Sequence, residues 1–428
     1  MTIAEMPVVI AGGGPAGLAA SVISDSSAAR PSAAHPSGIR RIRAAQLALG
    51  VLLALAVAGA PAVAHAAAPS TRHLQHPSLS AHVAHKLNRA LLRSWSTTWP
   101  PGVIAGVWMG NRRWTTAVGS TRRALGPNPL LKDHTRIGSD TKTIVGTIIL
   151  RLVDQGRLSL NDSIARWFPQ IPDATNITIR DLGEMSSGIP SYTADNALTN
   201  QYFADPRQTF SPNVLNAAGA AQPQMFPPGH GFWYSDTNFV ILGRIIEMVT
   251  GNPLAQVMRQ MVFKPLGMRN SLFPTNNQIP KPFLRGYTAQ GSMFGNALDS
   301  THWTPSFAAG AGGAISTLGD LHRLAVAVGT GKLLKPATQR VRLIPNPASE
   351  GGGRAYLFAL GRDHGWLVHQ GQIPGYNTEI AYLPKLKAAL VVIANSDIAN
   401  AQKVNPVSAI FTALARVISP RNVPTGTS

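Results

Sequence analysis

The stretch Arg136–Lys142 reads RIGSDTK and is followed by a long apolar run. The predictions of fold and function both depend on this stretch. Apolar residues recur at helical spacing as far as Gly156, which predicts a helix with Ser139 and Lys142 at its start. Residues three apart share one helix face, so the two side chains should lie close together. An unprotonated lysine there can take the proton of Ser139 and make the serine a nucleophile. By themselves, Ser139 could instead cap the helix and Lys142 could be a solvated charge.

Two later stretches place further polar residues at the predicted start of a helix and at the predicted end of a strand. Tyr234 and Asp236 stand immediately before a second apolar helical pattern, where a tyrosine can move a proton. His369 and Gly371 end a strand pattern, and the edge of a strand can offer a backbone N–H group to an oxyanion. Taken singly, a tyrosine in such a position is more often packed in the core, as Tyr234 could be. A histidine such as His369 is more often part of a sheet, with its ring nitrogens already hydrogen-bonded.

Together these residues carry a family resemblance. Three motifs occur in order along the chain: Ser139-x-x-Lys142, Tyr234-x-Asp236 and His369-x-Gly371. In this order they resemble the penicillin-recognising serine hydrolases, and among these the group of class C β-lactamases, D-alanyl-D-alanine carboxypeptidases and related esterases. The resemblance covers roughly residues 80–415. The supporting stretches are PPG at 227–229, KPLGM at 264–268, GAGG at 310–313 and the run from 371 to 375.

The resemblance implies a role for each catalytic residue. Ser139 would be the acylated nucleophile, and Lys142 its general base or a proton relay. Tyr234 would pass a proton to the leaving group and help to activate the water that releases the acyl group. The oxyanion hole would be the backbone N–H groups of Ser139 and Gln372. No metal or cofactor is implied.

The remaining motif residues would bind substrate, and two of them depart from the usual family pattern. Asp236 stands where asparagine is more usual, and an ionised carboxylate accepts hydrogen bonds but cannot donate them. It could be neutral, could pair with Lys142, or could select a different substrate. His369 stands where many relatives have lysine, and would orient the tyrosine or a substrate carboxylate. Gly371 follows it in the same motif. The histidine favours a carboxypeptidase, peptidase or esterase over a β-lactamase.

The order of strand and helix patterns predicts an α+β fold. We expect an antiparallel sheet built from both ends of the mature chain, flanked by helices, with an inserted all-helical region; this is also the β-lactamase/transpeptidase-like fold that the resemblance implies. The strand patterns cover 103–109, 114–118, 366–369, 379–383 and 388–394. Helices are expected over about 79–95 and 406–418, and others should begin at Thr178 and Thr317.

Composition excludes several classes of function. The chain has 428 residues and no cysteine, so disulfides, thiol nucleophiles and zinc–thiolate sites are excluded. The formal net charge of +19 indicates a solvated basic surface or attraction to anionic polymers such as those of a bacterial cell envelope. No zinc-finger spacing or aromatic-interleaved basic stretch is found, so we expect no nucleic-acid partner. We expect a monomer.

The first 36 residues contain a glycine pattern without the rest of its motif. Gly12, Gly14 and Gly17 have the G-x-G-x-x-G spacing found at the opening of flavin-dependent monooxygenases. A dinucleotide site also needs a complete βαβ unit and an acidic residue about 20 positions later. Neither follows here, so residues 1–36 are interpreted as an extension with a vestigial motif, and a flavoprotein is a minor alternative.

Residues 37–66 have the pattern of an export signal. Arginines at 40, 41 and 43 precede an apolar run from Leu47 to Val63, and Ala64-His65-Ala66 fits an A-x-A cleavage site. Gly59 and Pro61 interrupt the run, so a permanent membrane span is the weaker alternative. We therefore expect cleavage near Ala66, a hydrolase domain over 67–428, and a secreted or cell-envelope location.

These observations predict an exported serine hydrolase that works through an acyl-enzyme on Ser139. Its substrate is expected to be a small peptide, ester or β-lactam, most readily as a D-alanyl-D-alanine carboxypeptidase-like peptidase or esterase. A class C β-lactamase is one alternative. A non-catalytic relative that binds peptidoglycan or β-lactams is another.

Overall fold

A computed structural model describes residues 78–123 and 126–425 of the chain. The extension over residues 1–36 and the signal-like segment over 37–66 lie outside the described residues, so both remain predictions. The domain expected over 67–428 is described from residue 78 onward.

A seven-stranded antiparallel sheet lies at the centre of the described region. The strands in this region are β1 (Gly102–Met109), β2 (Arg112–Gly119), β3 (Thr135–Arg136), β4 (Tyr287–Thr288), β5 (Leu298–Asp299), β6 (Ile315–Ser316), β7 (Arg354–Leu357), β8 (Leu360–Asp363), β9 (Trp366–Ile373), β10 (Tyr376–Leu383) and β11 (Ala388–Ala394). The order across the large sheet is β2-β1-β11-β10-β9-β8-β7, so an early strand pairs with the last one. This confirms the predicted sheet built from both ends.

Helices cover both faces of the sheet and fill the middle of the chain. The helices of the described region are α1 (Ala81–Thr98), α2 (Thr141–Asp154), α3 (Ile179–Gly183), α4 (Asn196–Ala204), α5 (Pro212–Ala220), α6 (Asp236–Thr250), α7 (Leu254–Met258), α8 (Lys264–Leu266), α9 (Ala309–Gly312), α10 (Leu318–Thr330), α11 (Pro336–Arg342) and α12 (Pro406–Ile418). None of these helices is long and apolar enough to cross a membrane. The predicted α+β class is confirmed.

The two faces of the sheet pack in separate cores because strand side chains alternate. In β1, Val103 and Val107 pack in the cluster that includes residues of α1 and α12. Ile104 and Trp108 face the other way and join the larger core with α2, α6 and α10. The site therefore forms on the face that carries the inserted helices.

Of the elements in the described region, the sequence predicted five of the seven strands in the large sheet and six of the twelve helices. Thr178 begins α3 with a full capping box, in which its hydroxyl accepts from the N–H of Asp181 and the Asp181 carboxylate accepts from its N–H. α10 begins after Thr317 as expected. The edge strand β7 and its neighbour β8 were missed, since each is only four residues long and their segment has no clear alternation.

Candidate active site

Ser139 lies in a single helical turn, Gly138–Asp140, that leads directly into α2. Gly138 has φ of +49°, a conformation that L side chains rarely adopt, and a Cβ there would lie 2.6 Å from the backbone nitrogen of Gln372. Glycine therefore lets this turn approach β9 closely. Ser139 is 7% exposed and lines a cleft, so its hydroxyl is accessible from one side.

Lys142 is completely buried one turn further along and donates to three acceptors. Its Nζ lies 2.8 Å from Oγ of Ser139, 2.6 Å from Oδ1 of Asp236 and 2.9 Å from the carbonyl oxygen of Ala311. Burial disfavours the charged amine and lowers the pKa of Lys142, while the charge and hydrogen bond of Asp236 act in the opposite direction. The predicted pairing of Ser139 with Lys142 on one face is present in the geometry.

Tyr234 stands just before α6 and reaches the same hydroxyl. Its phenol hydrogen-bonds to Ser139, and its ring centroid is 4.9 Å from Nζ of Lys142. Burial raises the pKa of Tyr234 well above its usual value, and the nearby charge of Asp236 raises it further. The phenol is therefore held in its protonated form, which can donate a proton but is a poor base.

Asp236 is the first residue of α6 and serves as the counter-charge of Lys142. Its carboxylate is the buried lysine's acidic partner at 2.6 Å, and its backbone N–H donates to the hydroxyl of Ser191. Of the three alternatives left by the sequence, the geometry is that of a pair with Lys142. An asparagine could accept the same hydrogen bond but would supply no charge.

The backbone N–H of Gln372 is directed away from the sheet and towards Ser139. Ile373 and Tyr376 close a two-residue hairpin, and the closing pair of such a hairpin is hydrogen-bonded. Because hydrogen-bonded and non-hydrogen-bonded pairs alternate, Gln372 opposite Asn377 falls at a non-hydrogen-bonded position. Its N–H group points away from β10, on the side where Gly138 approaches. This geometry suits the oxyanion hole predicted from Ser139 and Gln372.

Gly371 acts through its lack of a side chain. A Cβ at this position would lie 1.9 Å from the carbonyl oxygen of Ile137 and 2.5 Å from Oγ1 of Thr378. Gly371 is not among the residues that line the cleft, and the substrate contact expected for it remains a prediction. What the glycine provides is the close approach of β9 to the turn that holds Ser139.

His369 is not among the residues that line the cleft, and its expected substrate-binding role remains a prediction. The side chain is 4% exposed, its Nδ1 donates to the carbonyl oxygen of Gln370 at 2.9 Å, and its Nε2 is 3.5 Å from the Tyr356 hydroxyl. Burial lowers the pKa of His369 to about 3, and the charge of Lys142 lowers it further. The ring is therefore neutral, and its two nitrogens lie next to Gln370 and Tyr356.

The walls of the cleft include residues that the sequence analysis missed. Tyr192, Tyr202, Phe203 and Phe307 line it opposite the end of β9. The signal was present as a concentration of aromatic residues in the inserted helical region, but nothing in the pattern showed that they converge. The carbonyl of Ala311 was also missed, although GAGG at 310–313 was among the supporting stretches.

A buried serine, a lysine with a lowered pKa, a protonated tyrosine and a directed backbone N–H define a serine hydrolase that transfers acyl groups. The chain belongs to the Beta-lactamase family, whose model matches residues 87–412. The predicted family resemblance is confirmed.

Individual relatives support this membership. The chain is 27% identical over 285 residues to the Bacillus subtilis (strain 168) protein PbpX, which is named for penicillin binding; the match covers 66% of each chain, just under two thirds of that relative. A D-stereospecific amidohydrolase from Streptomyces sp. is similar with a TM-score of 0.69 and 28% identity, over 79% of this chain and 99% of the other. A D-amino acid amidase from Ochrobactrum anthropi SV3, complexed with L-phenylalanine amide, has a TM-score of 0.70 and 25% identity, with 79% and 98% covered.

Proposed function

We propose that this protein hydrolyses small amides, peptides or esters through an acyl-enzyme formed on Ser139. The observation that supports this most directly is the 2.8 Å contact between Nζ of Lys142 and Oγ of Ser139, with the Tyr234 phenol on the same hydroxyl. The amidohydrolase and amidase that share the fold support an amide or ester as the scissile group.

In the acylation step, Lys142 needs a free lone pair. Burial lowers the pKa of Lys142 and so favours the uncharged amine, while the charge and hydrogen bond of Asp236 act in the opposite direction. Lys142 then takes the proton of Ser139 as Oγ forms a bond to the substrate carbonyl carbon. The developing oxyanion is stabilised by the N–H groups of Ser139 and Gln372.

The leaving group departs with a proton from Tyr234. The phenol is held protonated and adjoins Oγ of Ser139, so it is placed to donate as the carbon–leaving-group bond breaks. The tyrosine recovers a proton from Lys142, which received it from the serine. In deacylation a water molecule attacks the ester, its proton passes to the same groups, and Oγ is released as the hydroxyl.

The non-catalytic alternative is disfavoured because the buried contacts of Ser139 are those of an activated serine. Removing a lysine and an aspartate from water costs free energy that their mutual attraction does not reliably offset. The position of this buried pair beside Ser139 is therefore better explained by a role in catalysis than by a gain in stability. The carboxypeptidase and class C β-lactamase alternatives use the same acyl-enzyme and differ in the group that occupies the cleft.

The test is hydrolysis of p-nitrophenyl acetate by the wild type and by Ser139→Ala. We expect kcat/KM to fall by on the order of 10³-fold or more in the variant. Ser408→Ala is the matched control, because Ser408 is similarly buried at 8% but lies on α12, on the opposite face of the sheet. Equal rates for the wild type and Ser139→Ala would overturn the proposal.

We also propose that the protein is exported, on the signal-like pattern of residues 37–66. The test is N-terminal sequencing of the protein recovered from a bacterial host. A start near Ala67 in the medium or envelope fraction is expected, and an uncleaved chain confined to the cytosol would contradict it.

A further inference from the structure

We propose that the cleft selects acyl donors with an aromatic side chain and disfavours substrates whose leaving group carries a free carboxylate. This inference rests on the proposed function and names the substrate class of the same site. It separates an aromatic amide or ester hydrolase from a carboxypeptidase.

One wall of the cleft is a preformed aromatic surface. The ring of Phe307 stacks on Tyr202 with centroids 4.1 Å apart and planes 1° apart, and Tyr192 meets Phe307 edge-on at 5.3 Å. The hydroxyl of Tyr192 donates to the carbonyl oxygen of Phe307, which fixes this edge-on pair. Phe203 adjoins Tyr202 at 5.2 Å. The rings are held by one another, so an aryl group can pack on them without reorganising the wall.

Exposure decides which rings meet the substrate. Tyr192 and Tyr202 are each only 2% exposed and support the wall from behind. Phe203 and Phe307 are half-buried and present carbon surface to the cleft. Ser139 and Gln372 line the same cleft, so a substrate with its carbonyl at the serine can reach this wall with its side chain.

The same cleft lacks a positive group for a carboxylate. Among the described residues that line it, none is lysine, arginine or histidine. Its one acidic residue, Asp236, is already paired with Lys142. A carboxylate entering here would lose its hydration without gaining an ionic partner.

Three basic residues on or next to the elements that form the site, Lys142, Arg136 and His369, are buried and do not line the cleft. Lys142 donates to Ser139, Asp236 and the Ala311 carbonyl. Arg136 is 2% exposed, and its guanidinium donates to three backbone carbonyls, including that of Trp303. His369 is buried and uncharged, as described above.

The experiment compares two matched substrate pairs, each in both enantiomers. The first pair is the p-nitroanilides of N-acetyl-phenylalanine and N-acetyl-alanine, which differ only in the side chain. The second is N-acetyl-Phe-Ala and its C-terminal amide, which differ only in the terminal charge. We expect kcat/KM to favour the phenylalanine substrate, and the terminal amide, each by about tenfold or more in the preferred enantiomer.

Variants of the wall show whether these rings cause the preference. Phe203→Ala should reduce the ratio of kcat/KM for the phenylalanine substrate to kcat/KM for the alanine substrate by about tenfold. Phe307→Leu is the second wall variant, which retains bulk and apolar character. Phe210→Leu is the control, because Phe210 packs edge-on against Phe307 at 5.1 Å but does not line the cleft, and its preference should match wild type.

The outcomes separate the two proposals. Hydrolysis of both p-nitroanilides that depends on Ser139 but shows no side-chain preference would overturn the aromatic subsite and leave the hydrolase intact. Faster cleavage of the free carboxylate than of the terminal amide would overturn the second half of the inference. No Ser139-dependent turnover of any of these substrates or of p-nitrophenyl acetate would overturn the proposed function itself.

Discussion

The Nζ of Lys142 and the Oδ1 of Asp236 lie 2.6 Å apart, with side-chain exposures of only 0% and 6%. Desolvation and the counter-charge act on Lys142 in opposite directions, and burial is the larger effect. Asp236 therefore sets how much of the lysine is uncharged at a given pH. An aspartate rather than the more usual asparagine at position 236 therefore changes the pKa of Lys142 as well as the hydrogen bonds that the side chain can make.

Asp236→Asn tests this relationship. Removing the carboxylate removes the charge and the charged hydrogen-bond acceptor of Asp236, which both raise the pKa of Lys142, so that pKa should fall further, although the charge of Asp140 remains. Since the uncharged amine is the active base, the acidic limb of the pH profile of kcat/KM should move to lower pH. Asp320→Asn is the control, because Asp320 is 1% exposed but bonds to Arg323 and Ser271 in α10 and its neighbouring loop. An acidic limb that stays in place or moves to higher pH would contradict the account.

Tyr234→Phe removes the proposed proton donor and keeps the ring. We expect kcat to fall by about 10²- to 10⁴-fold, because general acid–base groups contribute rate factors of this size. Tyr356→Phe is the matched control, with its ring 6.0 Å from that of Tyr234 and its hydroxyl towards His369. Steady-state kinetics with an anilide measure both variants. Wild-type kcat in Tyr234→Phe would exclude the tyrosine as the acid.

Part of this site was predictable because it depends on local spacing. Ser139 and Lys142 are three residues apart at a helix start, and their contact follows from helix geometry. Tyr234 lies two residues before α6 and Asp236 is its first residue, and an apolar helical pattern in the sequence predicts this helix. The sheet was predictable from the alternating and apolar runs that became β1, β10 and β11.

The rest depends on contacts between distant residues, which one sequence does not reveal. The Ala311 carbonyl reaches Lys142 across 169 positions. Tyr202 and Phe307 stack from opposite ends of the inserted region, and neither belongs to a motif. The surroundings of His369 were unpredictable for a similar reason, since its Nε2 lies 3.5 Å from the hydroxyl of Tyr356 on the unpredicted strand β7.

Gly371→Ala should destabilise the protein by about 1–3 kcal/mol, because the new Cβ would overlap the Ile137 carbonyl and force β9 away from the Ser139 turn. Chemical denaturation of variant and wild type measures the difference. Gly351→Ala is the control, since no atom lies within 4 Å of its ideal Cβ, and its change should stay within about 0.5 kcal/mol. Equal stability of the two variants would contradict the proposed close approach.

Glu379→Gln should change the pH dependence of stability. Burial raises the pKa of Glu379 well above 4.5, so the folded state holds a proton that the unfolded state releases. The wild type should therefore lose up to about 1.4 kcal/mol of unfolding free energy per pH unit as the pH rises above about 4.5. The glutamine variant lacks this loss, so its stability relative to wild type should increase between pH 5 and 8.

Denaturant unfolding at several pH values measures this difference. Glu350→Gln provides the control, because the Glu350 side chain is 45% exposed and its difference from wild type should show much less pH dependence. If the difference between Glu379→Gln and wild type were the same at every pH, Glu379 would not be the buried acid that the fold indicates.

The central claim is that Ser139 becomes acylated, and intact mass after brief exposure to the methyl ester of a penicillin, which carries no free carboxylate, tests it most directly. The account predicts a single adduct of the penicillin's mass on the wild type, mapped to the peptide that contains Ser139 and absent in Ser139→Ala. If turnover is too fast for the adduct to persist, the same quenched mixture should contain hydrolysed penicillin for the wild type alone. An adduct on another residue, or identical results for the wild type and Ser139→Ala, would contradict it.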